Sequence, residues 1–489
     1  MILFQNPVFL TQMRLVHRAG VLAAVLIAGL TGLGLLAGLI YCFAEPQAFV
    51  VSWPQGAGGL FYAALLGVET LVLVGGGFSR ISRVLAGERK AGLWDSNRLT
   101  PLQPSQLMMG YWFGTALREF YMSAVLSLAG LVIVLLGRLP VALWAGTQIL
   151  LLGTALFFGL PAMMAGMALP RPRGGILFLL VFFLAPLFTS VEPRFLLAHF
   201  LVPSYATVNL FNPQGAWSRF PEFFGVSVHP IAYSLGLQFV VGLLLWRAVA
   251  RKAANPFQPL LRRREAVTLF GVIVAAQHGL IWGLWRGHFG TGMLSSDAGS
   301  LIPIVQGGTL LAGAVVLAMA SPLPERVRVE ALRAGFNSAR SVFSRSAASS
   351  AVALAAVGGA AWLAQCALSI TTVWRACLAA TANSLAFFAI FSLLLEFCRL
   401  RFQRRAPGFF ALGLFLLCLL PFVLAGVFSN PSLGRLSLLA PGIAALAHPA
   451  DEELNGLLWI VAAHFAIALL LFIAWRNQWR QVLRAQIRC

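Results

Sequence analysis

The 489-residue sequence predicts an all-α fold: a polytopic membrane protein with about twelve transmembrane helices, arranged as two tandem six-helix halves with both termini cytoplasmic. Three observations predict it. Only 10% of residues are charged and 59% are hydrophobic, whereas a soluble domain carries about 25% charge. The apolar residues gather in runs of about 20, the length a helix needs to cross a hydrocarbon core roughly 30 Å thick with its backbone satisfied internally. The basic residues fall almost entirely on alternate connections between those runs. A disordered tail, a collagen and a small disulfide scaffold are excluded by the same composition.

The first expected element is not a span. Asn6-Pro7 pairs a favoured helix N-cap with the residue best suited to the first helical position. Val8, Phe9, Leu10, Met13 and Val16 then form an apolar stripe, with Gln12, Arg14, His17 and Arg18 on other faces. That pattern suits a short helix lying in the membrane interface. Six spans are expected next, at residues 19–41, 60–77, 111–136, 141–167, 174–191 and 231–250. Six more follow at 267–285, 301–320, 350–370, 377–395, 409–427 and 457–475. The first run is too long and apolar for a cleaved signal peptide, so it is kept as a span.

With the N-terminus inside, 29 of the 35 Lys and Arg residues lie on the cytoplasmic side, as the positive-inside rule requires. The net charge of +20 is therefore topological, and a nucleic-acid partner is not needed. The six cysteines form no C-x-x-C pair and read as packing residues in or beside spans.

Landmarks recur at half length. Asn6-Pro7 is echoed by Asn255-Pro256, Leu201-Val202-Pro203 by Leu439-Ala440-Pro441, and Trp246-Arg247 by Trp475-Arg476. Each Asn-Pro pair is expected to open a short cytoplasmic helix. The favoured organisation is a parallel repeat: residues 1–250 as the first six-helix half, 251–489 as a more divergent second half.

The connection after the second span is the most informative stretch. From Glu88 to Arg98 it mixes charge with Leu93, Trp94 and, beyond, Leu99 and Leu102, while Thr100-Pro101 and Pro104-Ser105 break and restart the chain. Two short helices with a sharp corner are expected, and a solvated loop has no need of such apolar residues, so this surface should dock against something. Glu88, Arg89, Gly92, Thr100, Pro101, Leu102 and Gly110, with Asp95 and Leu107 as similar substitutions, give the segment a form that resembles the type-2 ATP-binding-cassette (ABC) exporter permeases. Leu93, Asn97-Arg98, Gln106 and Tyr111 depart from that family's pattern.

The resemblance covers residues 5–250 and implies that 86–110 holds a coupling helix gripped by a separate ABC ATP-binding subunit, in two copies. Glu88, Arg89, Gly92, Asp95, Thr100, Pro101 and Leu102 would make that contact. ATP would be bound by the partner, and no cofactor by this chain. The Glu325–Arg345 region sits at the equivalent place in the second half but lacks a T-P-L element, so the second coupling segment should be degenerate.

Neither lysine precedes Ser or Thr in a phosphate-cradling loop, so the chain has no ATPase motif of its own. No H-E-x-x-H or other zinc pattern occurs. Glu69 and Glu119 fall inside predicted spans, where an ionisable residue is expensive unless paired or hydrated; they could line a polar path or join helices. Two functions stay open: a permease subunit exporting an amphiphilic or lipid-linked substrate from a bacterial inner membrane, and a proton-driven twelve-helix secondary transporter relaying through Glu69 or Glu119. A lipid-modifying enzyme lacks a catalytic constellation. Membrane lipids are partners in each case, and one chain or a homodimer could form the pore.

Overall fold

The computed structural model describes residues 6–18, 20–44, 56–94, 102–168, 197–211, 220–255, 258–290, 296–321, 347–367, 374–402, 406–428, 433, 435–439 and 454–487. Helices dominate them. Among the described residues seven helical stretches are long and apolar enough to cross a membrane, and four shorter apolar helices accompany them. The chain is a multi-pass, all-α membrane protein. Helices cover eleven of the twelve expected stretches; the fifth, 174–191, lies outside the described residues.

Contacts divide the chain into two compact units, one of residues 1–221 and 227–256, the other of 222–226 and 257–489. In the first, α1 (Pro7–Arg18) is followed by α2 (Val21–Ala44) and by a long rod. The rod is α3 (Gly56–Thr70), a π-helical stretch at Leu71–Gly76, and α4 (Gly77–Lys90). Then come α5 (Pro104–Thr115), α6 (Leu117–Leu136), α7 (Val141–Ala168), the short α8 (Ala198–Leu201) and α9 (Ser204–Phe211), and α10 (Pro230–Ala254). A small hairpin pairs Glu222–Phe223 with Val226–Ser227 across the positive-φ residues Phe224 and Gly225, and its residues 222–226 belong to the second unit.

The second unit holds α11 (Arg263–Gly290), α12 (Ser296–Ala320), α13 (Ala347–Ala367) and α14 (Trp374–Phe402). It continues with α15 (Ala406–Leu414), a second π-helical stretch at Phe415–Leu419, α16 (Leu420–Val427) and α17 (Leu454–Ile487).

The two units share a packing order. In the first, α2 packs on α3 and α6, α3 on α6, α4 on α7, and α7 on α6 and α10. In the second, α11 packs on α12 and α13, α12 on α13 and α14, and α14 on α13 and α17. Pairing α2 with α11, the α3–α4 rod with α12, α6 with α13, α7 with α14 and α10 with α17 reproduces every one of these neighbours.

Local expectations held at one Asn-Pro pair and failed at the other. Asn6 Oδ1 accepts the backbone N–H groups of Val8 at 3.0 Å and Phe9 at 3.3 Å, so α1 starts as its sequence demands. Asn255 instead ends α10 in extended conformation, its N–H bonded back to Arg251, and the next helix begins only at Arg263. There the Glu265 carboxylate accepts the Arg262 N–H at 2.8 Å, which satisfies a helix N-terminal donor without help from Asn255. Pro256 lies outside the described residues. The expected stripe of α1 also needs correction: Gln12 is buried with Phe9, because it has a carboxylate to meet.

Candidate functional site

The rod that covers the second predicted span does not stop where that span ends. It runs on to Lys90, where Ala91 and Gly92 turn the chain. Gly92 has φ +76, a conformation that a side chain strains, and a Cβ there would meet nothing within 4 Å. Lys90, Ala91 and Gly92 are exposed, Leu93 is 53% exposed, and Trp94 turns inward to 5%. The chain re-enters a helix at Pro104, where Gln103 and Gln106 form a reciprocal capping box and Pro occupies the first turn. Gln106, a departure from the resembled pattern, thus closes the helix N-terminus with its own side chain.

The corner is braced from behind. The Glu88 carboxylate accepts the Tyr111 hydroxyl from α5 and the Gln12 amide of α1, the latter at 2.8 Å. Trp94 packs on Tyr111 with ring centroids 5.4 Å apart. Arg89 donates to the Met167 carbonyl at the end of α7, and Asn6 Nδ2 donates to the Gln106 carbonyl at 2.5 Å. α1 can lie this close to α5 because Gly110 and Gly114 present no side chain: a Cβ on either would come within 2.9 Å of Asn6 Oδ1 or Gln12 Cβ. Four helices are tied to one turn.

This sorts the residues expected to touch a partner. Glu88 and Arg89 face inward as braces, Gly92 and Leu93 form the exposed tip, and Leu102 is half-buried. Asp95, Thr100 and Pro101 lie outside the described residues, as does the 325–345 region of the second half. The sequence reading missed Gln12, Tyr111 and the Met167 carbonyl. Tyr111 was visible as a departure from the family pattern, but its partner 23 positions earlier was not.

The two carboxylates expected inside spans, Glu69 and Glu119, both join helices. Glu69, 1% exposed, accepts Ser123 Oγ of α6 at 2.7 Å and Gln148 Nε2 of α7 at 2.9 Å. Glu119, 2% exposed, pairs through Oε1 with Arg80 of α4 at 3.3 Å and with Arg118 at 2.9 Å, while its Oε2 has no partner among the described residues. Ser123 is one helical turn from Glu119 on α6, so two polar clusters stack along that helix.

The second unit repeats the Glu69 cluster with an amide. Gln306 of α12, 0% exposed, accepts the Trp362 indole N–H of α13 at 2.5 Å and donates to Ser384 Oγ of α14 at 3.0 Å. Under the helix pairing above, Gln306 stands on the counterpart of the rod carrying Glu69 and ties the counterparts of the same two helices. The Trp landmarks have diverged: Trp246 lies against Trp112 at 5.7 Å in the first unit, whereas Trp475 donates to the buried Glu396 at 2.7 Å in the second. Glu396 also accepts the first N–H of α13, that of Ala347.

Among the described residues no three His, Cys, Asp or Glu side chains come together as metal ligands would. No protein family, curated protein or solved structure matches this chain.

Proposed function

We propose that this chain is the transmembrane subunit of an ABC transporter that exports an amphiphilic or lipid-linked substrate, with ATP hydrolysed by a separate subunit docked on the 86–110 segment. The observation that carries the reading is the braced corner. A tip that only rested on headgroups would have no use for carboxylate, guanidinium and aromatic contacts to α1, α5 and α7 directly behind it. A tip that receives force needs them, because a push on Gly92 and Leu93 is then delivered to several helices at once. Both termini would be cytoplasmic, and the membrane would be a bacterial inner membrane. The shared packing order of the two units favours a duplicated permease in which one chain supplies both halves.

In this reading Glu88 and Arg89 are positioning residues, and the partner touches Lys90 to Leu93 and Leu102. The test is Gly92→Trp in the complex purified with its ATPase and reconstituted in vesicles. A bulky residue at the exposed tip should leave insertion and ATP turnover intact while transport per ATP falls tenfold or more. Transport that runs on a proton gradient with no ATPase present, or unchanged coupling in Gly92→Trp, overturns the proposal.

A further inference from the structure

In the first unit a cavity of about 480 Å³ lies between α3, the π-helical stretch, α7 and α9. That is within the range of small-molecule sites, which are mostly apolar with a few placed polar groups. Its walls include Leu66, Gly67, Leu150, Phe158 and Phe211. Four threonines also line it, yet Thr70, Thr147, Thr154 and Thr207 each turn the hydroxyl back to the carbonyl four residues earlier, at 2.7–2.9 Å. A hydroxyl so engaged presents its methyl group outward, so most of the wall is apolar despite its composition. Among the described residues no charged side chain lines the cavity.

One end differs. Ser204 lines the cavity and its Oγ shares a 2.7 Å hydrogen bond with His199 Nδ1. Thr154, also in the wall, accepts Gln238 Nε2 at 3.1 Å, and the same amide nitrogen donates to the Leu201 carbonyl at 3.0 Å. On the two residues bonded to this wall, His199 Nε2 and Gln238 Oε1 are buried and have no hydrogen-bond partner among the described residues, and neither has Ser234 Oγ, one helical turn before Gln238 on α10. Buried polar atoms are ordinarily paired, so their concentration here marks this end as the polar one. Burial pushes the His199 imidazole down to about 4, so at neutral pH the group is uncharged.

We infer that this cavity binds an uncharged amphiphile: an alkyl or acyl chain along the threonine-methyl wall, and a hydroxyl, ester or glycosyl head at the end lined by Ser204 and Thr154, which His199 and Gln238 back. Among the described residues a phosphate head would find no cation there, and a bare hydrocarbon would leave the polar end unmet. Its role as the exported substrate rests on the transport reading above, but the binding does not.

Gly67 supplies the test, because a Cβ added there meets nothing within 4 Å and a larger side chain can grow into the cavity without disturbing the fold. The full chain, in detergent and without any ATPase, is labelled with a photoreactive monoacylglycerol, and the labelled peptides are mapped. Labelling is expected on α3, α7 and α9, with at least a tenfold loss in Gly67→Leu and little change in Gly67→Ala. The matching lysophosphatidic acid probe should label at least fivefold less, and Ser204→Ala should narrow that preference. Labelling that ignores Gly67→Leu, maps elsewhere, or treats both heads alike overturns the inference. A chain that binds the probe but never engages an ATPase sinks only the transport reading.

Discussion

Replacing Glu69 tests whether buried polar knots hold the first unit together. The carboxylate ties the rod to α6 through Ser123 and to α7 through Gln148. Glu69→Leu removes both bonds. Ser123 can turn its hydroxyl to its own helix, but the Gln148 amide loses its acceptor. Interhelical hydrogen bonds in membranes contribute about 0.6 kcal/mol on average and up to about 1.7. With two short bonds lost at a 1% exposed site, the expected destabilisation is about 2 kcal/mol.

Glu69→Gln should behave differently. Its amide oxygen keeps the Ser123 bond, and its NH₂ can donate to Gln148 once that amide flips. Gln306 makes one accepted and one donated bond in the same way in the second unit. The expected loss is under about 1 kcal/mol. SDS titration of unfolding in mixed micelles measures both variants, and a double-mutant cycle with Gln148→Leu isolates the shared bond, expected to couple by about 1 kcal/mol. If Glu69→Leu unfolds with wild type to within about 0.3 kcal/mol, or the cycle gives no coupling, the knots do not carry the packing and the reasoning fails.

Tyr111→Phe removes one brace of Glu88 and leaves Gln12 alone on the carboxylate; about 1–2 kcal/mol of local stability should go, read as faster protease cleavage between residues 90 and 104. Gly114→Leu must force α1 off α5, since even a Cβ there sits 2.9 Å from Gln12, and a loss of about 1–3 kcal/mol with cleavage of residues 1–20 is expected. His199 makes stability pH-dependent. Its native value of about 4 lies below the unfolded 6.5, so the unfolded chain binds the extra proton between those values. Stability from this group is complete above pH 6.5 and is lost as pH falls towards 4, by about 3 kcal/mol in all. Melting temperature measured from pH 7.5 to 4.5 should drop more in wild type than in His199→Phe, and equal slopes would rule His199 out as the cause.

Hydropathy, helix caps and charge asymmetry act within a few residues, and the sequence by itself determined what depends on them. The class, the position of eleven apolar helices, the Asn6 cap and the break before Pro104 were all legible for that reason. Reading failed where a local signal had a competing partner. Asn255-Pro256 looks like Asn6-Pro7, but α10 takes Asn255 as its end and Glu265 caps the following helix. Glu88 and Arg89 look like surface charges of a docking loop, and only folding brings up the Tyr111 hydroxyl, the Gln12 amide and the Met167 carbonyl that turn them inward. Likewise Glu69 and Gln306 belong to the same construction although one is an acid and the other an amide, because position between three helices defines it and residue type does not. Partners 54 to 100 residues apart in sequence carry no spacing rule. Only tertiary packing chooses which side chains meet, and in an apolar chain those few meetings decide which polar groups brace, which line a cavity and which face a partner.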